Sequence, residues 1–373
     1  MKKSKKRSFF YWAIFVINFF VAFALLASYA SPWISPSLFW PIAFIGLAYP
    51  FIFLLNIIFA IYWILRLRWV AIVSISMIAL GYQVHPKVFA FQMPSPVETN
   101  SDSTLRIMSY NAHSFRPINT NKYDKKSKHS MLELLLSEKA DIICFQEFYT
   151  RKKGEYAIKD SLQKFSELKY YRYQTIDSIE NELMSQAIFS KYPIINYQKI
   201  PFYEGRHPNM CTYADVVIQS DTIRIINVHL QSISFKPKDY NYFHKVTTEA
   251  ETDLQSSRRI GSRLKNAFIR RATQAELVRE LIDESEYKVI VCGDFNDTPN
   301  SYAFNVIANG LKSAFQEKGS GLGTTYGGAF PNFQIDYILC DPAMDVLNYK
   351  IIKKKYSDHY PVVADIQYNK KLF

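Results

Sequence analysis

The chain has 373 residues, 49% of them hydrophobic and 21% charged, with 45 Lys/Arg against 33 Asp/Glu and a formal net charge of +12. Residues 1–100 hold 8 Lys/Arg and 1 Asp/Glu, leaving 37 against 32 downstream, a mildly basic balance that helps an anionic substrate yet excludes a dedicated nucleic-acid coat. The four cysteines include no Cys-x-x-Cys pair, which argues against a zinc cluster and leaves the redox compartment undefined.

Phe9 to Ala30 is a run of 22 uncharged residues and Leu38 to Leu65 one of 28. A helix crosses a bilayer with about 20, so both are expected to span. Trp69 to Val84 adds 16 more, and a third helix over about 69–88 spans if Arg68 snorkels. Lys2, Lys3, Lys5, Lys6 and Arg7 resemble a signal-peptide n-region, but the first run is too long and no small-residue cleavage site follows. The positive charges flank one side of these runs, at the N-terminus and at Arg66 and Arg68, whereas Ser31 to Ser37 carries none. The basic side is expected to be cytoplasmic, so three crossings place the rest of the chain on the periplasmic or extracellular face of the cell membrane.

Met93 to Ser103 is rich in Pro, Ser, Thr and Asn and reads as a linker between a membrane region (1–92) and a single domain (104–373). Strands are expected at Leu105–Tyr110, Asp141–Phe145, Cys211–Ile218, Thr222–Val228, Lys288–Cys292, Ile335–Leu339 and Pro361–Ile366, and a long helix at Ser257–Glu284. That helix carries Arg258, Arg259, Arg263, Lys265, Arg270 and Arg271, most simply a solvated basic face. The stretch Gln231–Ser256 before it reads as a loop where specificity resides.

Oxygen- and imidazole-bearing side chains gather at the strand exits. They are Asn111, Glu147 in Phe-Gln-Glu, His229, Asp294 and Asn296 in Gly-Asp-Phe-Asn-Asp, and Asp358-His359. On an extended chain Asp294 and Asn296 point to the same side and converge on one cation and its phosphate. His359 has an ordinary pKa of ~6.5, suited to a general base. Asp336 lies inside an apolar strand and needs a partner, for which His359 is the obvious candidate. Oxygen donors without a Cys/His cluster favour a hard ion, Mg²⁺ first and Mn²⁺ or Ca²⁺ next.

In order along the chain, SYN, FQE, AIFSKYPI, NVHL, GDFND, IDYIL and SDHYPV resemble the endonuclease/exonuclease/phosphatase superfamily over about Leu105 to Ile366. The resemblance implies an α/β (α+β) sandwich of two packed mixed β-sheets flanked by helices, here preceded by an N-terminal transmembrane helical region. It further implies Glu147 as principal metal ligand with Asn111 and Asp358, and Asp294 and Asn296 orienting the attacking water and the phosphate. His359 resembles the general base, Asp336 its orienting carboxylate, and His229 the donor to a phosphate oxygen or leaving group.

His229 sets the chain apart from the abasic-site endonucleases. Ser185-Gln186 and Gln334 depart from the pattern and are expected near the cleft rim. The implied function is a membrane-anchored, metal-dependent phosphoester hydrolase acting on a lipid headgroup, with nucleic acid or inositol phosphate as other substrates and no obligate protein partner evident. A membrane-bound nuclease of deoxyribonuclease type and a catalytically silent scaffold are the alternatives.

Overall fold

The computed structural model describes residues 8–92, 103–117, 124–179, 181–203, 207–249, 252–328 and 332–368. The basic cluster at 2–7 and residues 93–102 of the expected linker lie outside them. Two six-stranded sheets pack face to face. In the first, hydrogen-bonded neighbours run Asp345–Ile351, Val362–Gln367, Thr104–Asn111, Ile142–Arg151, Glu182–Ser190 and Tyr170–Ile179; in the second they run Lys312–Ser313, Asp336–Cys340, Lys288–Asp294, Asp221–His229, Met210–Ile218 and Ile194–Pro201.

Each sheet has one parallel pair at its centre, and the other pairings are antiparallel. Thr104–Asn111 lies parallel to Ile142–Arg151, with the helix Lys125–Ser137 in the connection, and Asp221–His229 lies parallel to Lys288–Asp294, with the helix Leu254–Asp283 crossing between them. Parallel pairing requires such crossovers, and it brings both C-terminal ends of a pair to the same sheet edge. Ile107, Ile142, Cys144 and Ile188 of the first sheet meet Ala214, Ile225, Ile290 and Cys292 of the second in a fully buried layer. All four cysteines are buried free thiols.

The N-terminal helices are Phe9–Ala30, Pro36–Phe39, Pro41–Leu47, Tyr49–Leu65, Ala71–Leu80 and His85–Val88. The run expected as one helix over 38–65 is broken, with a bend of 62° between Pro41–Leu47 and Tyr49–Leu65. Pro41 and Pro50 each occupy the first turn of the helix that follows, where a missing N–H costs nothing. The third expected helix, over 69–88, stops at Leu80, where Gly81 is the C-cap. Among the described residues Phe9–Trp33 is the one helix long and apolar enough to cross a bilayer, and the bent pair passes the same test taken together.

Asn18 ties three of these helices together, donating from Nδ2 to Ser74 Oγ at 2.8 Å and accepting from Trp63 Nε1 at 2.7 Å. His85 is half-buried, with Nδ1 2.6 Å from the Tyr49 hydroxyl and Nε2 2.7 Å from the Ile78 carbonyl oxygen.

This helical region has a basic end and a docked end. Arg68 lies over the Tyr11 ring and Tyr11 packs edge-on against Trp63, whereas Ser28 accepts a 3.0 Å hydrogen bond from Asn300 of the sandwich. Seventeen residues of helix, about 26 Å, separate Tyr11 from Ser28. The chain returns to the sandwich at Phe89–Phe91, which pairs antiparallel with Ser320–Leu322.

Gly293 is required by close approach. Its φ is +148°, and a Cβ there collides with the Val228 carbonyl of the adjacent parallel strand. Gly293→Ala is expected to cost more than ~1 kcal/mol and to lower the thermal midpoint. Gly154→Ala also carries a positive φ but meets no atom within 4 Å, so it should cost less in the same melting experiment.

Candidate active site

Asp294 ends its strand at the centre of the site. Its Oδ2 accepts a 3.0 Å hydrogen bond from Asn111 Nδ2 and lies 3.6 Å from His229 Nε2 and 3.7 Å from His359 Nε2. Its Oδ1 accepts from the Asn296 backbone N–H at 2.8 Å. Asn111 belongs to the first sheet and Asp294 to the second, so this contact spans the seam of the sandwich. His359 Nδ1 sits 3.1 and 3.0 Å from the two oxygens of Asp336, which fixes the tautomer with the proton on Nδ1 and leaves Nε2 facing Asp294.

The loop bearing His359 is held from both sheets. Ser357 Oγ donates to the Asn111 carbonyl at 2.9 Å and accepts from the His359 N–H at 3.1 Å, while Tyr360 N–H donates to the Thr325 carbonyl at 2.7 Å. Thr325 Oγ1 in turn accepts from the Ile335 and Asp336 N–H groups. Tyr326 packs its ring against His359 with centroids 5.2 Å apart.

Seven of the eight residues expected at the site, Asn111, Glu147, His229, Asp294, Asn296, Asp358 and His359, line a single cavity of about 350 Å³; Asp336 lies beneath His359. Left-handed backbone occurs at two strand exits, His113-Ser114-Phe115 and Asn296, and at Glu147, which lies in a bulge inside Ile142–Arg151, a strand that continues past the Phe145 end expected for it. Non-glycine residues held there cost of order 1–3 kcal/mol and concentrate at functional sites. Asn296 therefore departs from the extended geometry expected of it. The chain turns sharply after Asp294, and Asn296 Nδ2 donates to the Leu230 carbonyl at 3.0 Å, leaving its amide oxygen unclaimed by that bond.

Burial raises the Asp294 carboxyl, Asp336 adding to the effect, while His359, His229 and Asn111 oppose it. For His359, burial works downward but the Asp336 and Asp294 charges outweigh it and hold the imidazolium well above the ordinary histidine value. His229 is lowered by burial and by His359, and so is neutral. Burial raises Glu147, and the Asp358 charge adds to this against His113.

Two groupings could take a cation. Asp294, Asp336 and His359 place one ligand atom each within 4.8 Å of one another. However, Asp336 is committed to His359 Nδ1, and an ion there would displace the proton that orients the imidazole. Glu147 and Asp358 fit better. Both flank His113 Nδ1, at 3.8 and 3.5 Å, with Asn111 adjacent, so the imidazole stands between the two carboxylates. Two carboxylates and an amide oxygen form a hard donor set suited to Mg²⁺ or Ca²⁺, and each charge raises the cost of the other until a cation is present.

Ser185, Gln186 and Gln334, expected on the rim, are buried instead. Gln186 Nε2 donates to the Asn227 carbonyl at 2.9 Å, so it braces the strand that ends at His229. The basic cluster on Leu254–Asp283 is not one solvated face either. Arg259 and Arg263 pair with Asp239, and Arg271 is 1% exposed, lines the cavity and sits 3.2 Å from Asp297. Position 271 falls on the helix's buried stripe with Phe268, Ala272, Ala275 and Val278, a periodicity that could have marked it in the sequence. His113 reaches Glu147 and Asp358 through the left-handed turn that follows Asn111. The expected loop Gln231–Ser256 contains the helix Pro237–Glu249, and its Tyr240 and Phe243 line the cavity.

The sequence model described as the endonuclease/exonuclease/phosphatase family matches residues 108–359, and one described as a domain of unknown function matches 7–88. Among solved structures, an endonuclease/exonuclease/phosphatase family protein from Bacteroides thetaiotaomicron is similar at 16% identity and TM-score 0.50, over 72% of this chain and 98% of that one. A mannosyl-6-phosphatase from the same organism (16% identity, TM-score 0.47, 70% and 99%) and the human Nocturnin catalytic domain (16%, 0.48, 71% and 94%) also match. No curated protein matches.

Asp336→Asn removes the first of the three charges, Asp336, Asp294 and Asp358, that hold His359 high. A general base acts only when neutral, so rate falls as pH drops through its pKa. In the native chain this acid limb should lie above ~6.5, and in Asp336→Asn it should move to lower pH with a reduced plateau, as read from kcat/KM against pH.

Proposed function

We propose, because the chain belongs to the endonuclease/exonuclease/phosphatase family, that it is a membrane-anchored, divalent-metal-dependent phosphoester hydrolase whose substrate is a lipid-borne phosphoester. The observation that carries the reading is the Asp336–His359 pair aimed at Asp294 in the same cavity as two further carboxylates, Glu147 and Asp358. A charged phosphoester repels an incoming nucleophile, so a catalyst must neutralise charge, fix the phosphorus and deliver water.

Glu147 and Asp358 with the Asn111 amide would hold Mg²⁺, or Mn²⁺ or Ca²⁺, which when bound neutralises the phosphoryl oxygens and the leaving group. The remaining work falls to the chain. His359 Nε2 and Asp294 Oδ2, 3.7 Å apart, contact the same water. His359 takes the water's proton as its oxygen attacks phosphorus, and Asp336 stabilises the imidazolium. The ester P–O bond breaks, and the proton is returned to the departing oxygen. Neutral His229 donates from Nε2 to a phosphoryl oxygen, and the Asn296 amide orients the phosphate.

Anchoring is supported by the apolar exterior of the N-terminal helices, where Phe9, Phe10, Phe19, Phe20, Phe51 and Leu65 are at least half exposed. Such a surface needs a non-aqueous cover. Arg66 and Arg68 stand at the end remote from the sandwich, the end at which the first helix begins at Phe9. With the basic end cytoplasmic, the catalytic domain faces the periplasm or cell exterior.

The full chain in nanodiscs with Mg²⁺ should release headgroup or phosphate from a phospholipid or sphingomyelin. EDTA should abolish turnover, and His359→Ala or Glu147→Ala should lower it roughly 10²-fold or more. Nicking of supercoiled DNA without lipid turnover would point instead to a nuclease, and an unchanged rate in His359→Ala would remove the mechanism. For topology, alkaline phosphatase fused after Phe373 should be active in cells; an inactive fusion would place the domain in the cytoplasm.

A further inference from the structure

The cavity that holds the reacting groups at one end is apolar at the other. Leu47, Ile233, Phe235, Phe243, Leu264 and Phe268 line it there. These come from three separate parts of the chain: the short N-terminal helix Pro41–Leu47, the segment that follows His229, and the helix Leu254–Asp283. Phe268 is shared between them, lining the cavity while packing edge-on against Phe44 at 5.3 Å between centroids. Lys265 beside it lies over the Trp40 ring at 5.0 Å. One wall of the catalytic cavity is therefore supplied by the N-terminal region, ahead of the family-matched residues 108–359.

We infer that this apolar end receives a hydrocarbon chain borne by the phosphoester, and that Leu47 is a specificity-determining residue of the site. The inference rests on the hydrolase reading above and names the part of the substrate that the reading leaves open. About 350 Å³ falls within the roughly 300–1,000 Å³ of small-ligand pockets, so phosphate and part of a chain fit together. A nucleobase in the same place would bury a polar edge that needs matched donors and acceptors. Arg271, the buried cation lining the cavity, lies 3.2 Å from Asp297, yet its Nε and Nη1 make no hydrogen bond to any described residue; a guanidinium has donors only, which suits a phosphate rather than the mixed edge of a base. Leu47 also directly precedes the bend into Tyr49–Leu65, whose outward Phe51, Leu54 and Ile58 are about half exposed. The wall that contacts the chain and the surface that needs a hydrocarbon cover thus belong to one segment.

The test is calorimetric binding of n-alkylphosphonates from ethyl to octyl, which are not hydrolysed, to the full chain in nanodiscs, with empty discs as blank. Kd should fall roughly fourfold per added methylene until the chamber is full. Leu47→Asn and Phe235→Asn should each flatten that dependence; Phe235 lies outside the N-terminal helices, so its variant keeps the test valid if Leu47→Asn fails to fold. A Kd independent of chain length, a dependence unchanged in both variants, or a nucleoside phosphonate that binds more tightly than octylphosphonate would overturn the inference. Hydrolysis of a phosphodiester is assayed on the same samples. Length-dependent binding without hydrolysis would sink the proposed activity and leave the chamber standing, and hydrolysis without length dependence would do the reverse.

Discussion

The site depends on the two sheets being docked in one register, and the contact that sets this register is buried and polar. Gln146 of the first sheet donates to Asn227 Oδ1 of the second at 2.7 Å, and Asn227 Nδ2 returns bonds to the Phe145 and Ala187 carbonyls at 3.0 and 3.1 Å. Apolar side chains such as Ile225 and Cys144 hold the sheets together but tolerate sliding, because hydrophobic contact is not directional. An amide network with few satisfying geometries does not tolerate it, since an unmade buried bond costs about 1–3 kcal/mol. Gln146 precedes Glu147 and Asn227 lies two residues before His229. Fixing one fixes the other, and the same logic extends to Asn111–Asp294 and Asp336–His359, each pair bridging the seam.

The central parallel pairs explain why reacting groups collect on one edge. The parallel pairing of the first sheet stops at Asn111 and Gln146, with Glu147 in the bulge that follows, while His229 and Asp294 end together in the second. An ordinary β exit would carry Asn296 past the cavity, whereas its φ near +50° turns the chain at once; at Glu147 the same φ makes a bulge within a strand that runs on to Arg151. The strain is local, and the amide network below it supplies the stiffness that keeps it in place.

Much of this was readable from the sequence because strand-end chemistry is local. A Val/Ile run bounded by Asp, Asn, Glu or His states both an element and its end, and the residues so marked, together with Asp336 at the start of its strand and Asp358-His359 just ahead of theirs, meet at one cavity or directly beneath it. What sequence did not disclose depends on tertiary direction. Arg271 resembled its exposed neighbours because charge outweighed its place on the buried stripe. Ser185 and Gln186 looked like rim residues because nothing local says that Asn227 waits across the seam. Asn296 was assigned to an extended chain because the period-2 rule does not foresee a turn immediately after Asp294. The helix breaks in the N-terminal region fall at prolines and Gly81 that were visible, but uninterrupted apolar composition concealed them.

The N-terminal region is joined to the sandwich at three places that do not lie on one line of chain. Asn300 bonds Ser28, Phe44 packs on Phe268, and Phe89–Phe91 extends as a strand beside Ser320–Leu322. A tether raises the local concentration of a membrane-borne substrate whatever its stiffness, but a flexible tether presents the cavity in every orientation and most of these are unproductive. Three attachments remove that freedom. In the anchored reading, the direction of the cavity relative to the bilayer is then set by the fold, and the ordering entropy is lost once, during folding, rather than at each encounter with substrate. A lid or a long free linker would serve a soluble substrate as well. A fixed wall that carries Leu47 favours a substrate that arrives from the side on which that wall is anchored.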